Sequence, residues 1–215
     1  MQEYKVDYHI HTTFSGGGCT PTQIVRQAAE QEMDVIAITD RDSIGGLAEA
    51  KIAGEAAGLR VIPGIEITAE TGEGVGLHIL GYGIDGENVE LKAFLDRLSP
   101  AGEKAEPRAP EALEVIRKAG GTPVLAHPIQ IRGIGEPGSE EFFANLEKII
   151  AGLKRQGLKG LECFHPSHSE GQTLRLIAIA EKYHLHITKG TGFHGSDYAK
   201  ACRAGNTGRK EGKQE

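Results

Sequence analysis

The chain has 215 residues, 39% hydrophobic and 25% charged, with a formal net charge of −6, which suits one domain with one sizeable core. The acidic balance argues against a surface that coats long nucleic acid, though not against a small basic pocket. No apolar run of 18 residues would span a membrane, the start MQEYKVDYHIH lacks a secretory layout, and three scattered cysteines without a CxxC pair point to a reducing cytoplasm.

In chain order, YKVDYH (4–9) reads as a strand and TPTQIVRQAAEQ (20–31) as a helix, with Thr20 as N-cap and Pro21 in the first turn. DVIAIT (34–39) is a strand, SIGGLAEAKIAGEAAG (43–58) a helix, and LRVIPGIEIT (59–68) and VGLHILGYGI (75–84) are strands. NVELKAFLDRL (88–98) is helical, and SPAGEKAEPRAP (99–110) is a polar linker. PEALEVIRKAG (110–120), SEEFFANLEKIIAGLKRQG (139–157) and SEGQTLRLIAIAEKY (169–183) are helices. Between and after them TPVLAH (122–127), LKGLECF (158–164) and LHITKG (185–190) are strands. Residues 1–202 thus form one domain, and 203–215 a loose polar tail. Alternating strands and helices predict an α/β fold, and seven strands without a long insertion suit a distorted (β/α)7 TIM-like barrel. The stretch from Ala69 to Gly74 is too short for a crossover helix, so strands three and four are not a simple parallel pair.

The residues with chemistry share one position, at or near the ends of apolar runs. His9 and His11 close strand one, and their spacing of two puts them on one face, with Asp7 beside them. Asp40, Arg41 and Asp42 close strand two, and Glu66 sits near the end of strand three. His78 lies within strand four, His127 ends strand five, His165 and His168 follow strand six, and His194 follows strand seven. In a barrel those ends meet at one mouth, where seven of the nine histidines then fall. His184 and His186 repeat the spacing of His9 and His11 but precede their strand, which places them at the opposite rim. Neutral imidazoles and a carboxylate at a shared rim suit divalent transition metals, and an oxygen of Glu66 can bridge two of them. His165 and His168 are candidates for holding substrate.

These motifs resemble the polymerase and histidinol phosphatase family, usually called PHP. The matching stretches are DYHIHT (7–12), ITDRDS (38–43), PGIEIT (63–68), AHP (126–128), CFHPSHS (163–169) and GTGFHG (190–195). The resemblance implies a distorted seven-stranded barrel, a cluster of two or three metals and hydrolysis of phosphate esters. It implies that His9, His11 and Glu66 hold a first metal, that Glu66, His78 and His127 hold a second, and that His194 belongs to a third. Arg41 stands where the family usually has an imidazole, and Gly192 where it usually has a carboxylate. Guanidinium does not ligate cations. The third site is left with His194 alone, and two ions (manganese, iron or zinc) are expected.

The resulting expectation is a cytoplasmic, metal-dependent phosphoesterase. Its substrate would be a small phosphate monoester, a nucleotide or short RNA end, with no membrane and no long nucleic acid as partner. Glu66, His194 and His168 are the expected catalytic residues, the histidines as acids for the leaving alkoxide. Arg41, Arg132, Lys189 and His165 are expected to hold the phosphate. The rival reading is a non-catalytic module that binds metal or a phosphorylated ligand.

Overall fold

Most strands of this chain are short and apolar, and most of its helices carry one apolar face, so neither can bury itself except against the other. A computed structural model describes residues 4–98, 106–198 and 200–201. The expected tail, Arg203–Glu215, and the first part of the expected linker lie outside the described residues.

Among the described residues, seven strands form one sheet in sequential order, and six α-helices pack around it. β1 (Val6–Ile10), β2 (Val35–Ile38) and β3 (Arg60–Glu70) run parallel. β4 (Gly76–Tyr82) turns back against β3, and β5 (Thr122–Leu125) pairs antiparallel with β4. β6 (Gly160–Phe164) and β7 (His186–Lys189) then continue parallel to β5. The segment after β7 closes the barrel onto β1: Gly192 N–H donates to the His9 carbonyl at 2.9 Å, and His11 N–H to the Phe193 carbonyl at 2.9 Å. The fold is therefore the expected distorted seven-stranded α/β barrel, with the reversal at strand four.

Local chemistry sets the helix ends. α1 (Pro21–Glu30) opens with Thr20 and Gln23 in a reciprocal capping box, and α6 (Glu170–Lys182) does the same with Ser169 and Gln172. α5 (Glu140–Gln156) stops at Gly157, whose φ of 111° favours glycine. α2 (Leu47–Ala57) starts four residues later than the sequence suggests. Asp42 has a φ of 51°, and a Cβ on Gly45 would lie 2.6 Å from the Phe14 ring, so residues 42–46 form a tight loop under that ring. α3 (Val89–Leu98) and α4 (Ala109–Lys118) both lie between β4 and β5.

The larger core joins β3–β6 to α3–α6, with Ile65, Ile67, Leu113, Phe142 and Leu161 fully buried. A second cluster packs Ile24, Val25 and Ala28 of α1 against Ile36 and Ile38 of β2, with Phe193 and Tyr198. Each fully buried Ile or Leu stabilises by roughly 1.5–3 kcal/mol, so these clusters fix the barrel wall from outside. The inward face is left free for polar chemistry at one end.

Candidate metal centre

Alternation along β3 sends Ile65 and Ile67 outward to the core and Glu66 inward, where it is fully buried. Glu66 is the hub. Its Oε1 lies 3.0 Å from His78 Nδ1, 3.0 Å from His127 Nε2 and 3.3 Å from His9 Nε2. Its Oε2 lies 3.3 Å from His11 Nε2 and 3.1 Å from Arg41 Nε. The first three ligating atoms, from His9, His11 and Glu66, fall within 4.8 Å of one another, as do those of Glu66, His78 and His127. His78 reaches this rim because β4 runs backwards: it sits near the start of its strand, opposite Thr68.

Supporting groups fix which ring nitrogens carry protons. His9 Nδ1 lies 3.0 Å from the buried Glu162 carboxylate, which can only accept, so Nδ1 bears a hydrogen and Nε2 is the nitrogen turned inward, a lone pair whenever the ring is neutral. Ser15 gives its hydroxyl proton to Asp40 at 2.6 Å and accepts from His11 Nδ1 at 3.1 Å, so His11 Nε2 is also a lone pair. Thr12 holds Asp40 through its N–H at 2.6 Å and its hydroxyl at 2.7 Å. With both rings neutral, two imidazole lone pairs 3.1 Å apart face a carboxylate. Such a set repels itself unless a cation sits among the acceptors, and its nitrogen and oxygen donors suit a divalent transition metal. The residues therefore fit the implied metals.

The electrostatics agree. Burial alone would push the Glu66 carboxyl up, but His127, His78 and His9 hold it well below the usual range. Burial likewise opposes charge on His9, yet Glu162 and Glu66 outweigh it and raise the group to about 10, so a proton takes the place that a cation would fill. Burial takes His11 down to about 2, against the pull of Glu66.

His127 is held in an unusual backbone conformation, φ 21°, where β5 ends before Pro128. Such conformations cost on the order of 1–3 kcal/mol and cluster at functional sites. The His127 N–H donates to Glu162 Oε2 at 2.7 Å, which pins it. Glu162 thus braces one histidine of each ligand group. Sequence reading passed over it, although the signal was there: a carboxylate between Leu161 and Cys163 in an apolar strand must face inward. Asp7 does not join His9 and His11. The β1–β2 register shifts after Asp7, and its carboxylate instead accepts from Thr191 N and Oγ1 and from the Tyr198 hydroxyl.

The remaining candidates are spread around the mouth. Arg41 spends Nε on Glu66, and its side chain is 36% exposed. The His194 ring stacks on His11 with centroids 3.8 Å apart. His165 lies 6.2 Å from His9 and 5.5 Å from His127, ring to ring, and His168 lies 5.4 Å from His165. His168 Nδ1 donates to the Cys163 carbonyl at 3.0 Å, and its buried Nε2 has no partner among the described residues. In this tautomer Nε2 accepts a proton and has none to give, so the geometry does not favour His168 as an acid. Arg132 and Lys189 are exposed, and neither side chain makes an ion pair or hydrogen bond among the described residues. No such contact among the described residues ties either of them to the cluster. His184 and His186 are exposed, with His186 paired to Gly160 at the far end of β6.

The PHP domain family model matches residues 7–189. The chain is 26% identical over 255 positions to a 5′-3′ exoribonuclease from Haemophilus influenzae, covering 88% of this chain and 90% of that protein. It is 28% identical over 258 positions to a phosphoribosyl 1,2-cyclic phosphate 1,2-diphosphodiesterase from Eggerthella lenta, covering 88% and 94%. Both alignments are longer than this chain, so these relatives carry segments that it lacks. A shorter match, 37% over 91 residues and 42% and 32% of the two chains, is to a 3′,5′-nucleoside bisphosphate phosphatase from Chromobacterium violaceum. Among solved structures, an amidohydrolase from Chromobacterium violaceum with bound sulfate and no metal superposes with a TM-score of 0.80 at 22% identity, over 91% and 89% of the chains. A candidate metal-dependent phosphoesterase from Bifidobacterium adolescentis gives 0.74 at 24%, over 91% and 90%. No helix among the described residues is long and apolar enough to cross a membrane. The family model spans the barrel from β1 to β7 and includes the buried histidines and Glu66: the chain belongs to the PHP domain family.

Proposed function

We propose that the protein is a divalent-metal-dependent phosphoesterase acting on a small nucleotide- or RNA-derived phosphate ester. One observation carries the reading: Glu66 lies fully buried among four imidazole nitrogens at 3.0–3.3 Å, at the mouth of the barrel. The named activities of the relatives, all on ribose- or nucleotide-linked phosphates, support the substrate class.

His9, His11 and Glu66 would hold one ion, and Glu66, His78 and His127 a second. When bound, such ions activate water and brace the phosphoryl oxygens. The chain's own groups do the rest. Glu162 and Asp40, through Ser15, keep the imidazole lone pairs turned inward. Arg41, with Nε on Glu66, turns its remaining N–H donors to a phosphoryl oxygen, a charge-assisted contact of the stronger kind. His194 is exposed beside Arg41 and carries a proton between solvent and the leaving alkoxide.

The test is hydrolysis of a nucleoside 3′,5′-bisphosphate, a ribose cyclic phosphate and a 5′-phosphorylated oligoribonucleotide, each with and without manganese. Turnover that needs metal and is lost in Glu66→Ala supports the reading. No hydrolysis of any of the three with manganese, iron or zinc, read as released phosphate, ring-opened monoester or freed nucleotide, would sink it.

A further inference from the structure

The space around Gly192 shows how this chain manages without the carboxylate that the resemblance implies there. A Cβ built on Gly192 would stand 2.6 Å from His165 Nε2, and the three atoms nearest to it all belong to the His165 ring. The backbone there has φ 60°, which glycine adopts freely. A side chain at 192 and the present position of His165 exclude each other. The imidazole has taken the place.

The replacement has the opposite hydrogen-bonding polarity. Ser167 N–H donates to His165 Nδ1 at 3.1 Å. The Ser167 hydroxyl accepts from Gln130 Nε2 at 3.1 Å, which leaves its own proton for His165 Nδ1 at 2.8 Å. With Nδ1 accepting twice, the ring carries its hydrogen on Nε2. The nitrogen that reaches the position of a side chain at 192 is therefore a donor. It has no lone pair for a cation, whereas a carboxylate would have offered only lone pairs. His9 and His127, one from each ligand group, are its ring neighbours on the cluster side.

We infer that His165, seated against Gly192, is a specificity residue that donates Nε2–H to a phosphoryl oxygen of the substrate and does not ligate metal. This rests on the phosphoesterase reading and deepens it. The chain has exchanged a metal ligand for an oxyanion donor at one spot. The exchange needs both changes together: glycine at 192 to clear the space, and the Ser167 turn to fix the tautomer.

Calorimetry on the full chain separates the roles, with manganese titrated into apo-protein and inorganic phosphate into manganese-loaded protein. His165→Ala is expected to weaken phosphate binding about tenfold or more, as for loss of a hydrogen bond to a charged group, with manganese affinity within about twofold of wild type. His165→Gln, whose amide N–H reaches a similar point, is expected to retain phosphate affinity within about threefold. A ligand role would show the reverse, with manganese affinity falling on the order of 10–100-fold in both variants. That result overturns the inference, as does unchanged phosphate affinity in His165→Ala. If His165→Ala does not fold, His165→Gln decides alone: loss of manganese affinity, or of phosphate affinity, counts against it. Wild-type protein that binds manganese but no phosphate, or no manganese at all, would overturn the phosphoesterase reading itself.

Discussion

Replacing Glu162 with Gln takes away one carboxylate oxygen and puts an NH2 between two donors. His9 Nδ1–H lies 3.0 Å from Oε1, and the His127 N–H lies 2.7 Å from Oε2. An amide can turn its oxygen to only one of them, so its NH2 faces the other in a site with no solvent access. Losing one charge-assisted bond costs about 1.5–3 kcal/mol. At about 1.4 kcal/mol per tenfold, that is between roughly 10-fold and 150-fold in an equilibrium. If His9 escapes the conflict by moving its proton to Nε2, the lone pair aimed at the metal is gone, and the loss appears in the same measurement. Manganese affinity of Glu162→Gln is therefore expected to fall roughly 10–100-fold, as for other removals of a ligand's supporting carboxylate. Calorimetric titration of apo-protein measures it, and the thermal midpoint of each apo-protein reports whether the variant is folded. A folded variant that binds manganese within about twofold of wild type would refute the claim that Glu162 sets the His9 tautomer.

His9→Ala and His127→Ala should each lower bound manganese measured by elemental analysis, whereas His186→Ala, at the opposite end of the barrel, should not. Equal losses in all three would mean the rim assignment is wrong. Arg41→Ala should raise KM for a phosphate ester about tenfold, by loss of a charge-assisted contact, and steady-state kinetics with an unchanged KM and kcat would show the residue idle. Burial, with Glu162 beside it, pushes the Cys163 thiol up to about 12. It is then fully protonated at pH 8.5 in the native protein, while in the unfolded chain it returns to the ordinary thiol range. Iodoacetamide at that pH should label Cys163 only after denaturation, read by peptide mass spectrometry, and equal native labelling would contradict the burial.

The barrel was legible in the sequence because its signals are local and repeated. Thr20-Pro21 and Ser169 open helices by side-chain capping, and VIAI in β2 reads as buried on both faces. The five clustered candidate ligands were legible for a related reason: His9, His11 and His127 lie at or just past strand ends and His78 near a strand start, and only Glu66 sits inside its strand. What stayed hidden depends on contacts between distant segments. Glu162 carries no motif, and its role exists only because His9, 153 positions earlier, turns Nδ1 towards it. Asp7 shares the spacing of His9 and His11, but a register shift within β1 redirects it to Thr191 and Tyr198. Arg132 and Lys189 look suitable by charge and by strand end, yet a long side chain on a rim has no direction until the loops around it are placed. Gly192 reads as a missing ligand along the chain. In space it is the clearance for His165.

Charge at the mouth leads to the last prediction. Relative to the pattern that the family resemblance implies, Arg41 adds one positive unit in place of a neutral imidazole. Gly192 removes one negative unit in place of a carboxylate. The sum is two positive units, the charge of one divalent ion. The guanidinium is anchored, with Nε 3.1 Å from Glu66 Oε2, and it sits beside His194, the one residue left to hold a third metal. At about 4 Å and an effective dielectric near 20, a divalent ion would be repelled by that guanidinium by about 8 kcal/mol before any ligand is counted. His194 contributes one nitrogen, from an exposed ring stacked on His11, which does not offset such a term. Manganese titrated into apo-protein should therefore saturate at two equivalents. Arg41→Gln should weaken inorganic phosphate binding to the loaded protein without admitting a third ion, because removing the repulsion supplies no ligands. Native protein that binds a third equivalent with affinity close to the first two would show that Arg41 swings clear of the site, and that its charge does not stand in for a metal.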